Sequence, residues 1–270
     1  MIARHVTGDE VETPLLGGFT NAGLTSRVGD TVRRPLRPTS PATKALLDHL
    51  ERVGFDGAPR YLGVDDRGRE VLSYIPGQAP IAPAPAWALT DAALVSVAEL
   101  LRGYHEAVAS FAPRGHRWPD RVPAQFRTGI VSHNDPNLDN VIFDGERAVA
   151  LIDFDLAGPG SAEWDLACCG RLWAPLREPD DCPPGLADRS LERLVLFTDA
   201  YGATPAQRAR LADALLHAHA WCYRVVREAV SAGHETFRRY WVAGGEQRAE
   251  RTRRWLAAHD GEIRAALGVR

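Results

Sequence analysis

The sequence has 270 residues, of which 45% are hydrophobic and 25% are charged, a composition typical of folded globular proteins rather than disordered ones. Its formal net charge of −3 leaves no basic excess for binding nucleic acid. No run of about 18 apolar residues is present, and residues 1–10 lack the apolar core of a signal peptide. We therefore expect a cytoplasmic protein without nucleic-acid or membrane partners. Four cysteines without metal-binding spacing agree with a reducing compartment.

The first part of the chain predicts short strands and one helix. A turn at Gly29-Asp30 separates two strand-like runs, and Pro35 ends the second of them. A serine-proline pair at residues 40 and 41 opens the helix, and Gly54 closes it. The predicted elements are strands over 24–28, 31–34, 60–64 and 70–75 and a helix over 40–54.

The character of the sequence changes at the Pro/Ala-rich segment 76–85, which is the best linker candidate. Beyond it apolar positions recur mainly at helical spacing, with a small island of strands among the helices. We expect an α+β protein with a small β-rich lobe (1–77), a larger mainly helical lobe (78–270) and a ligand-binding cleft between them. The elements predicted for the second lobe are helices over 90–110, 166–176, 186–201, 205–231 and 235–258 and strands over 130–131, 141–143 and 149–152.

The polar residues of greatest chemical interest lie in this island of strands. Asp135 and Asn140 are five positions apart in a loop, and Asp153 follows the next predicted strand, 13 residues after Asn140. Each aspartate alone is equally compatible with capping a turn, but the combined pattern H-x-D-x-x-x-x-N with a later I-D-F argues against coincidence. Two carboxylates and an amide that converge form an oxygen-rich site suited to Mg²⁺ and substrate phosphates.

This arrangement predicts phosphoryl transfer, in which a protein mainly positions the reactants and neutralises charge. With the metal held in the oxygen-rich site, Asp135 is free to orient or deprotonate an acceptor hydroxyl. A metal hydrolase built on His133 has less support, because one histidine without a helical partner makes a poor zinc site.

The segment 133–167 resembles the signature of the aminoglycoside phosphotransferase family, which is related to choline kinases and more distantly to protein kinases. The resemblance implies a protein-kinase-like bilobal fold, Mg²⁺ as cofactor and ATP or GTP as co-substrate. It implies Asp135 as the catalytic aspartate, Asn140 and Asp153 as metal ligands, and His133 as a residue that orients the catalytic loop.

Two further acidic residues belong to the same resemblance. Asp165, in the segment E-W-D-L-A, is implied to support the catalytic loop structurally. Asp155 follows the I-D-F segment and corresponds to a position where related kinases often carry an acid. The resemblance leaves its role open among support of the metal, contact with the acceptor and stabilisation of neighbouring backbone.

The first lobe carries weaker parts of the resemblance. The segment G-G-F-T-N resembles the glycine-containing nucleotide loop, which implies nucleotide contacts at Gly18, Thr20 and Asn21. Small residues there allow backbone N–H groups to approach phosphates closely. The segment S-Y-I-P-G resembles the hinge between lobes, which implies that Ser73 and Ile75 lie beside the nucleotide base.

One position departs from the family pattern. These kinases use a lysine on the third strand, paired with a helix glutamate, to hold the phosphates, whereas the one lysine of this chain is Lys44, on the predicted helix. The strand offers Arg33 and Arg34 instead, and arginine can bind phosphate bidentately. Because alternate side chains face opposite sides of a strand, only one of them faces the cleft, and we expect Arg33. Alignment places Thr43 where the glutamate is usual, and we expect Lys44 to be exposed.

We therefore expect a Mg²⁺-dependent kinase that moves the γ-phosphoryl group of ATP or GTP to a small-molecule hydroxyl. By family resemblance the acceptor is an antibiotic or a related metabolite, and the biological role is antibiotic resistance. The missing lysine and glutamate leave open a second hypothesis: a non-catalytic kinase-like protein that binds a nucleotide or drug and acts by sequestration or immunity.

The sequence leaves the charge of the acceptor open. An acidic wall would suit a polycation, whereas arginines of the later helices that face the cleft would suit a neutral or anionic acceptor. Tryptophans of the helical lobe are candidates for stacking on a ring, or for the core. The acidic candidates are Asp139, Asp155, Glu163, Glu178, Asp180 and Asp181, and the tryptophans are Trp118, Trp173, Trp221 and Trp241.

Overall fold

The computed structural model describes residues 11–15, 23–119 and 122–269. Its strands are β1 (Glu12–Pro14), β2 (Ser26–Val28), β3 (Thr31–Pro35), β4 (Tyr61–Val64), β5 (Arg69–Ser73), β6 (Val131–Ser132), β7 (Val141–Asp144), β8 (Arg147–Leu151) and β9 (Gly158–Pro159). Its helices are α1 (Ser40–Arg52), α2 (Asp91–Val108), α3 (Ala162–Trp173), α4 (Ser190–Tyr201), α5 (Pro205–Ser231), α6 (Glu235–Tyr240), α7 (Glu246–Ala258) and α8 (Asp260–Ala266).

The described N-terminal strands form an antiparallel five-stranded sheet in the order β1-β2-β3-β5-β4. The turn between β2 and β3 contains Gly29 at a φ of 57°, a left-handed conformation that glycine adopts without steric cost. Strand β3 pairs with β5 so that Arg34 lies opposite Glu70 and Thr31 lies opposite Ser73. This register places a basic and an acidic side chain next to each other on one face of the sheet.

Helix α1 joins the sheet to the helical part of the molecule. Its proline lies in the first turn, where the missing N–H removes no helical hydrogen bond. Leu46, Leu47 and Leu50 recur at helical spacing on one face and are fully buried. That face belongs to the same apolar core as Leu94 and Leu101 of α2. The core therefore continues from the sheet side into the helices.

The chain crosses between the two parts at Gly77 and Gln78. The Gln78 N–H donates to the Phe143 carbonyl and the Phe143 N–H donates to the Gln78 carbonyl, both at 2.9 Å. Gly77 has a φ of 138°, and a Cβ there would lie 2.5 Å from the Phe143 carbonyl oxygen. Only glycine tolerates both conditions, so the crossing segment is held closely against the β7–β8 hairpin.

Several helix boundaries differ from the predicted ones; α4, for example, begins at Ser190, four residues after the predicted start. Helix α3 begins at Ala162, four residues before the predicted start, because the Ser161 hydroxyl accepts a hydrogen bond from the Trp164 N–H and caps it. The helix predicted over 235–258 is broken at Gly244, whose φ of 92° separates α6 from α7. By contrast, α5 has the predicted bounds and begins with a capping box between Thr204 and Gln207.

The α+β class is confirmed, with a sheet-based part followed by a larger helical part. The division into domains at residues 77 and 78 stays a prediction. Within the described ranges, every helix is too short or too polar to cross a bilayer.

Candidate functional site

Asp165 stabilises the loop that follows β6. Its side chain is fully buried in the first turn of α3. One carboxylate oxygen accepts the His133 N–H and the other accepts the Asn134 N–H, each at 2.7 Å. The ring of His105 lies 3.1 Å from the same carboxylate. Asn134 has a left-handed φ of 68°, and its side-chain oxygen accepts a hydrogen bond from the Trp164 indole at 3.0 Å. The bonds made by Asp165 and Trp164 stabilise this unusual backbone conformation.

His133 connects the loop to the strand that carries the next aspartate. Its Nε2 donates to the Ile152 carbonyl at 3.0 Å, and its Nδ1 accepts the Asp135 N–H at 3.3 Å. Burial lowers the pKa of the ring, which is fully enclosed, so the neutral form predominates. With both ring nitrogens engaged, His133 orients the loop and is unsuited to act as a base.

Asp135 is partly buried at the centre of the loop. Its Oδ1 accepts from the Asn137 amide at 2.6 Å and its Oδ2 accepts from the Asn140 amide at 3.0 Å. Burial, followed by the negative charges of Asp153 and Asp139, raises its pKa to about 7. The carboxyl is therefore oriented by two amides and can exchange a proton near neutral pH.

Asp153 lies directly after β8 with a left-handed φ of 60°. Burial and the neighbouring Asp155 raise its pKa to about 6, against the opposing charges of Arg34 and Arg37. Asp135, Asn140 and Asp153 line one common cavity. The structure thus brings together the three side chains that the sequence spacing singles out.

The chemistry of these side chains fits a hard divalent cation. The Asn140 Nδ2 donates to the Asp135 backbone carbonyl at 2.9 Å and to its carboxylate, so the Asn140 side-chain oxygen is available as a ligand. Two close carboxyls with raised pKa values are a site where a cation would relieve repulsion. Within the described residues no three His, Cys, Asp or Glu side chains form a complete metal site. A pair of carboxylates with one amide suits Mg²⁺, which retains water and phosphate ligands.

The arginine that faces the cleft is Arg34, so the expectation of Arg33 is wrong. The Arg33 guanidinium lies on the opposite face of β3, 3.6 Å from the Asp65 carboxylate. The Arg34 guanidinium lies 2.7 Å from Glu70 on the neighbouring strand β5. It also approaches Asp155 at 2.8 Å and Asp153 at 3.4 Å, and it lines the cleft. The sequence placed Arg33 and Arg34 on this strand, and strand alternation allowed only one of them to face the cleft. The register of β3 against β5 decides which one it is.

The carboxylate partner of this arginine comes from the sheet and not from the helix. Glu70 is almost fully buried beside Arg34, whereas Thr43 lies on α1. Sequence reasoning missed Glu70, although pairing the two predicted strands as neighbours would have placed it opposite Arg34. Lys44 pairs with Asp48 on the exposed surface of α1, in agreement with its expected exposure.

Asp155 holds two arginines from the first part of the chain. Its carboxylate oxygens lie 2.8 Å from Arg34 and 2.6 Å from Arg37, and its side chain is buried. This geometry links the segment after β8 to β3 and to the loop before α1. Of the roles left open for Asp155, these contacts favour stabilisation of the neighbouring backbone, which carries Asp153.

A cavity of about 280 Å³ lies between the sheet and the β7–β8 hairpin, next to Asp153. Ser73 and Ile75 both line it, as the resemblance to a hinge predicts. The Ser73 hydroxyl is engaged by the Arg60 N–H at 2.8 Å. Gly18, Thr20 and Asn21 lie outside the described residues. The remaining walls include apolar side chains from both parts, namely Val32, Leu72, Ile142 and Ile152.

Comparison with known proteins agrees with this geometry. Residues 116–229 match the model of the phosphotransferase enzyme family. A protein named trifolitoxin immunity protein, from Rhizobium leguminosarum bv. trifolii, is 30% identical over 261 residues, which cover 92% of this chain and 97% of that protein.

Two solved structures share the fold. A choline/ethanolamine kinase family protein from Mesorhizobium loti superposes with a TM-score of 0.62 at 18% identity, over 98% of this chain and 94% of that one. Aminoglycoside 2'-phosphotransferase-IIIa in its GDP complex gives 0.59 at 15% identity, over 90% and 92%. These likenesses confirm the expected protein-kinase-like fold. The match to the family model and the relative of 30% identity show that the chain belongs to the phosphotransferase enzyme family.

Proposed function

We propose that the protein is a Mg²⁺-dependent kinase that transfers the γ-phosphoryl group of ATP or GTP to a hydroxyl of a small molecule. The observation that carries this proposal is the convergence of Asp135, Asn140 and Asp153 on one cavity. The adjoining slot beside Asp153, with apolar walls from both parts of the chain, suits a nucleotide base. Mg²⁺, if held here by Asn140 and Asp153, would supply positive charge that offsets the charge that develops during transfer.

Asp135 is the residue that handles the acceptor proton. With a pKa near 7, a large fraction of its carboxyl is ionised at neutral pH and can accept this proton. The hydroxyl oxygen then bonds to the γ-phosphorus as the bond from the γ-phosphorus to the β–γ bridging oxygen breaks. The nucleoside diphosphate leaves with that bond's electrons. Hydrogen bonds from Asn137 and Asn140 keep the carboxyl oriented during the step.

Asn140 and Asp153 would hold the metal ion. The side-chain oxygen of Asn140 and the carboxylate of Asp153 both border the cavity that contains Asp135. Arg34 lies beside Asp153 and supplies positive charge where a phosphate would lie, in the place of the usual lysine. The Glu70 carboxylate keeps this guanidinium in position.

A second candidate function is toxin immunity without phosphoryl transfer. It is favoured by the name of the 30% identical relative, trifolitoxin immunity protein. The arginine in the place of lysine also favours it, since guanidinium geometry differs from that of an ammonium group. In this function the cleft would bind a nucleotide or a toxin without turnover.

The two functions are distinguished by Mg²⁺-dependent nucleotide binding and turnover. Binding of a fluorescent ATP analogue and release of phosphate from ATP, with water as the acceptor, need no knowledge of the true substrate. We expect Asp135→Asn to retain nucleotide binding while turnover falls by about 10²- to 10⁴-fold. The control is Asp144→Asn, which changes an exposed carboxyl at the end of β7.

Each result decides between the functions. Wild-type turnover in Asp135→Asn would remove the role proposed for that carboxyl. Nucleotide binding by the wild type without detectable turnover would favour immunity by binding alone. Loss of the Mg²⁺ dependence of binding in Asp153→Asn is expected if this residue is a metal ligand.

A further inference from the structure

The cavity that Asp135, Asn140 and Asp153 share has a volume of about 340 Å³ and extends from Asp135 into the helical part of the molecule. A molecule bound there lies beside the carboxyl that accepts the hydroxyl proton in the proposed function. Its walls are mainly aromatic and aliphatic, which suits a planar or otherwise apolar body. Side chains from α3, α5 and α6 form them, among them Leu172, Trp221, Tyr223, Val226, Phe237 and Tyr240.

Two buried hydrogen-bond donors of this cavity have no partner. Arg171 is 8% exposed and its Nε makes no hydrogen bond within the described chain. Trp221 is 4% exposed and its indole Nε1 is likewise unpaired. A buried N–H without an acceptor costs about 1–3 kcal/mol in general, so ligand oxygens that accept from these donors would be favoured. Other orphaned polar atoms, on Glu70 and His219, belong to residues outside this cavity.

In the part of the chain that the structure describes, the charge of Arg171 has no partner at contact distance. Within the described residues it forms no ion pair; the groups that act on it most strongly are Cys222, Cys168 and Tyr223, and its charge also opposes the rise in the pKa of Asp135 in the same cavity. Thiols and phenols are uncharged at neutral pH, so they leave the guanidinium charge in place. Burial and the nearby Arg171 lower the pKa of Arg177, which shows that a second arginine adds positive charge to this region.

The acidic residues that would suit a polycation lie elsewhere. Asp181 forms a bidentate ion pair with Arg251 at 2.6 and 2.8 Å. Glu163 lies 3.9 Å from Arg210. Glu163, Glu178, Asp180 and Asp181 are all absent from the lining of the cavity. Its acidic lining consists of Asp135, Asp139 and Asp153, which belong to the catalytic loop and to the metal-binding segment.

We propose that this cavity binds a hydroxylated acceptor with an aromatic or other planar apolar body and one carboxylate, and that Arg171 and Trp221 bind the carboxylate. The inference rests on the proposed function, because the acceptor hydroxyl must reach Asp135. A polycationic acceptor would place an ammonium group near a buried guanidinium and leave both donors unpaired. The cavity therefore discriminates by charge as well as by shape.

A matched series of probes tests the charge preference directly. 4-(Hydroxymethyl)benzoate, 4-(hydroxymethyl)benzamide and 4-(hydroxymethyl)benzylamine share a ring and a hydroxyl but carry a negative, a neutral and a positive group. Their dissociation constants are measured by ligand-observed NMR titration against the full chain, with Mg²⁺ and a non-hydrolysable ATP analogue. We expect the benzoate to bind at least about tenfold more tightly than the benzylamine, with the benzamide between them.

Variants assign the preference to the named donors. Arg171→Met is expected to abolish it, and Arg171→Lys is expected to retain part of it. Trp221→Phe keeps an aromatic ring but removes the indole N–H together with the five-membered ring. Because the three probes share the lost packing, the affinity for the benzoate should fall about three- to fivefold more than the affinity for the benzylamine. The control is Arg227→Gln on α5, an exposed arginine outside the cavity, which should leave all three affinities unchanged.

Equal affinities for the three probes, or tighter binding of the benzylamine by the wild type, would overturn the proposal. If Mg²⁺-dependent nucleotide binding and turnover persist in that case, only the acceptor class is wrong. If turnover is absent but the benzoate preference is present, the proposed kinase function fails and the carboxylate site stands. Should the Arg171 variants not fold, the wild-type series and Trp221→Phe still decide the result.

Discussion

The carboxyl of Asp135 should destabilise the metal-free protein at neutral pH. Its burial near Asp153 raises its pKa from an ordinary value of 3.8 to about 7 in the folded state. Between these two pH values the folded protein binds more protons at this site than the unfolded chain does. The free energy of unfolding therefore falls as the pH rises through this window, and the full loss is present at pH 8.

The size of the effect follows from the same shift. Each pKa unit corresponds to about 1.4 kcal/mol, so the full shift would lower the free energy of unfolding by about 4 kcal/mol. Water reaches the partly exposed carboxyl and screens it, which leaves about 2 kcal/mol. Asp135→Asn removes this cost but loses one of two hydrogen bonds, from Asn137 or Asn140, worth about 1 kcal/mol. We expect the variant to be about 1 kcal/mol more stable than the wild type at pH 8.

Urea unfolding, followed by tryptophan fluorescence in EDTA at pH 5 to 8, measures this difference. At pH 5 the wild-type carboxyl is already protonated in the folded state, so the advantage of Asp135→Asn should vanish or reverse. Asp144→Asn is the control, since its carboxyl is exposed. A stability difference between wild type and Asp135→Asn that is the same at every pH would refute the reasoning. Mg²⁺ with nucleotide should reverse the order, because a bound cation favours the carboxylate.

Two further substitutions test the framework around the site. Asp165→Asn leaves the backbone N–H of either His133 or Asn134 without a charged acceptor. The free energy of unfolding, measured with urea, should therefore fall by about 2–3 kcal/mol. An unchanged urea midpoint would contradict the role of Asp165. Arg34→Met leaves three neighbouring carboxylates without their shared cation. In the same assay we expect the free energy of unfolding to fall by about 3–5 kcal/mol, and to fall further at pH 8 than at pH 5. A loss independent of pH would point to packing instead of charge.

Local sequence patterns predicted much of the architecture. Spacing alone identified Asp135, Asn140 and Asp153, because residues of one loop and the following strand have few ways to lie apart. Helix α1 was predicted from its early proline and its leucine spacing, and α5 from the helical spacing of its apolar residues; the capping box of α5 was found only in the structure.

Other features depended on contacts between distant segments. Whether Arg33 or Arg34 faces the cleft is set by the pairing of β3 with β5, which lies more than 30 residues further along the chain. The aromatic and aliphatic walls of the proposed acceptor cavity come from three helices, and in the sequence the buried Arg171 looks like any polar residue of an amphipathic helix. The helix breaks before α7 because Gly244 adopts a left-handed conformation. The sequence did not predict this break, because the helical spacing of apolar residues continues on both sides of Gly244.

The proposed place of Arg34 in the phosphate site, where the family pattern has a lysine, has a chemical consequence for detecting this protein. Some nucleotide analogues deliver an acyl group to a lysine amine beside the bound phosphates. Arg34 offers these reagents no amine, and its guanidinium is a poor nucleophile at neutral pH. The one side-chain amine of the chain, on Lys44, lies on the outer surface of α1. Surveys that identify kinases by lysine labelling in the nucleotide site would therefore overlook this chain, and acetylation of lysine has no target there.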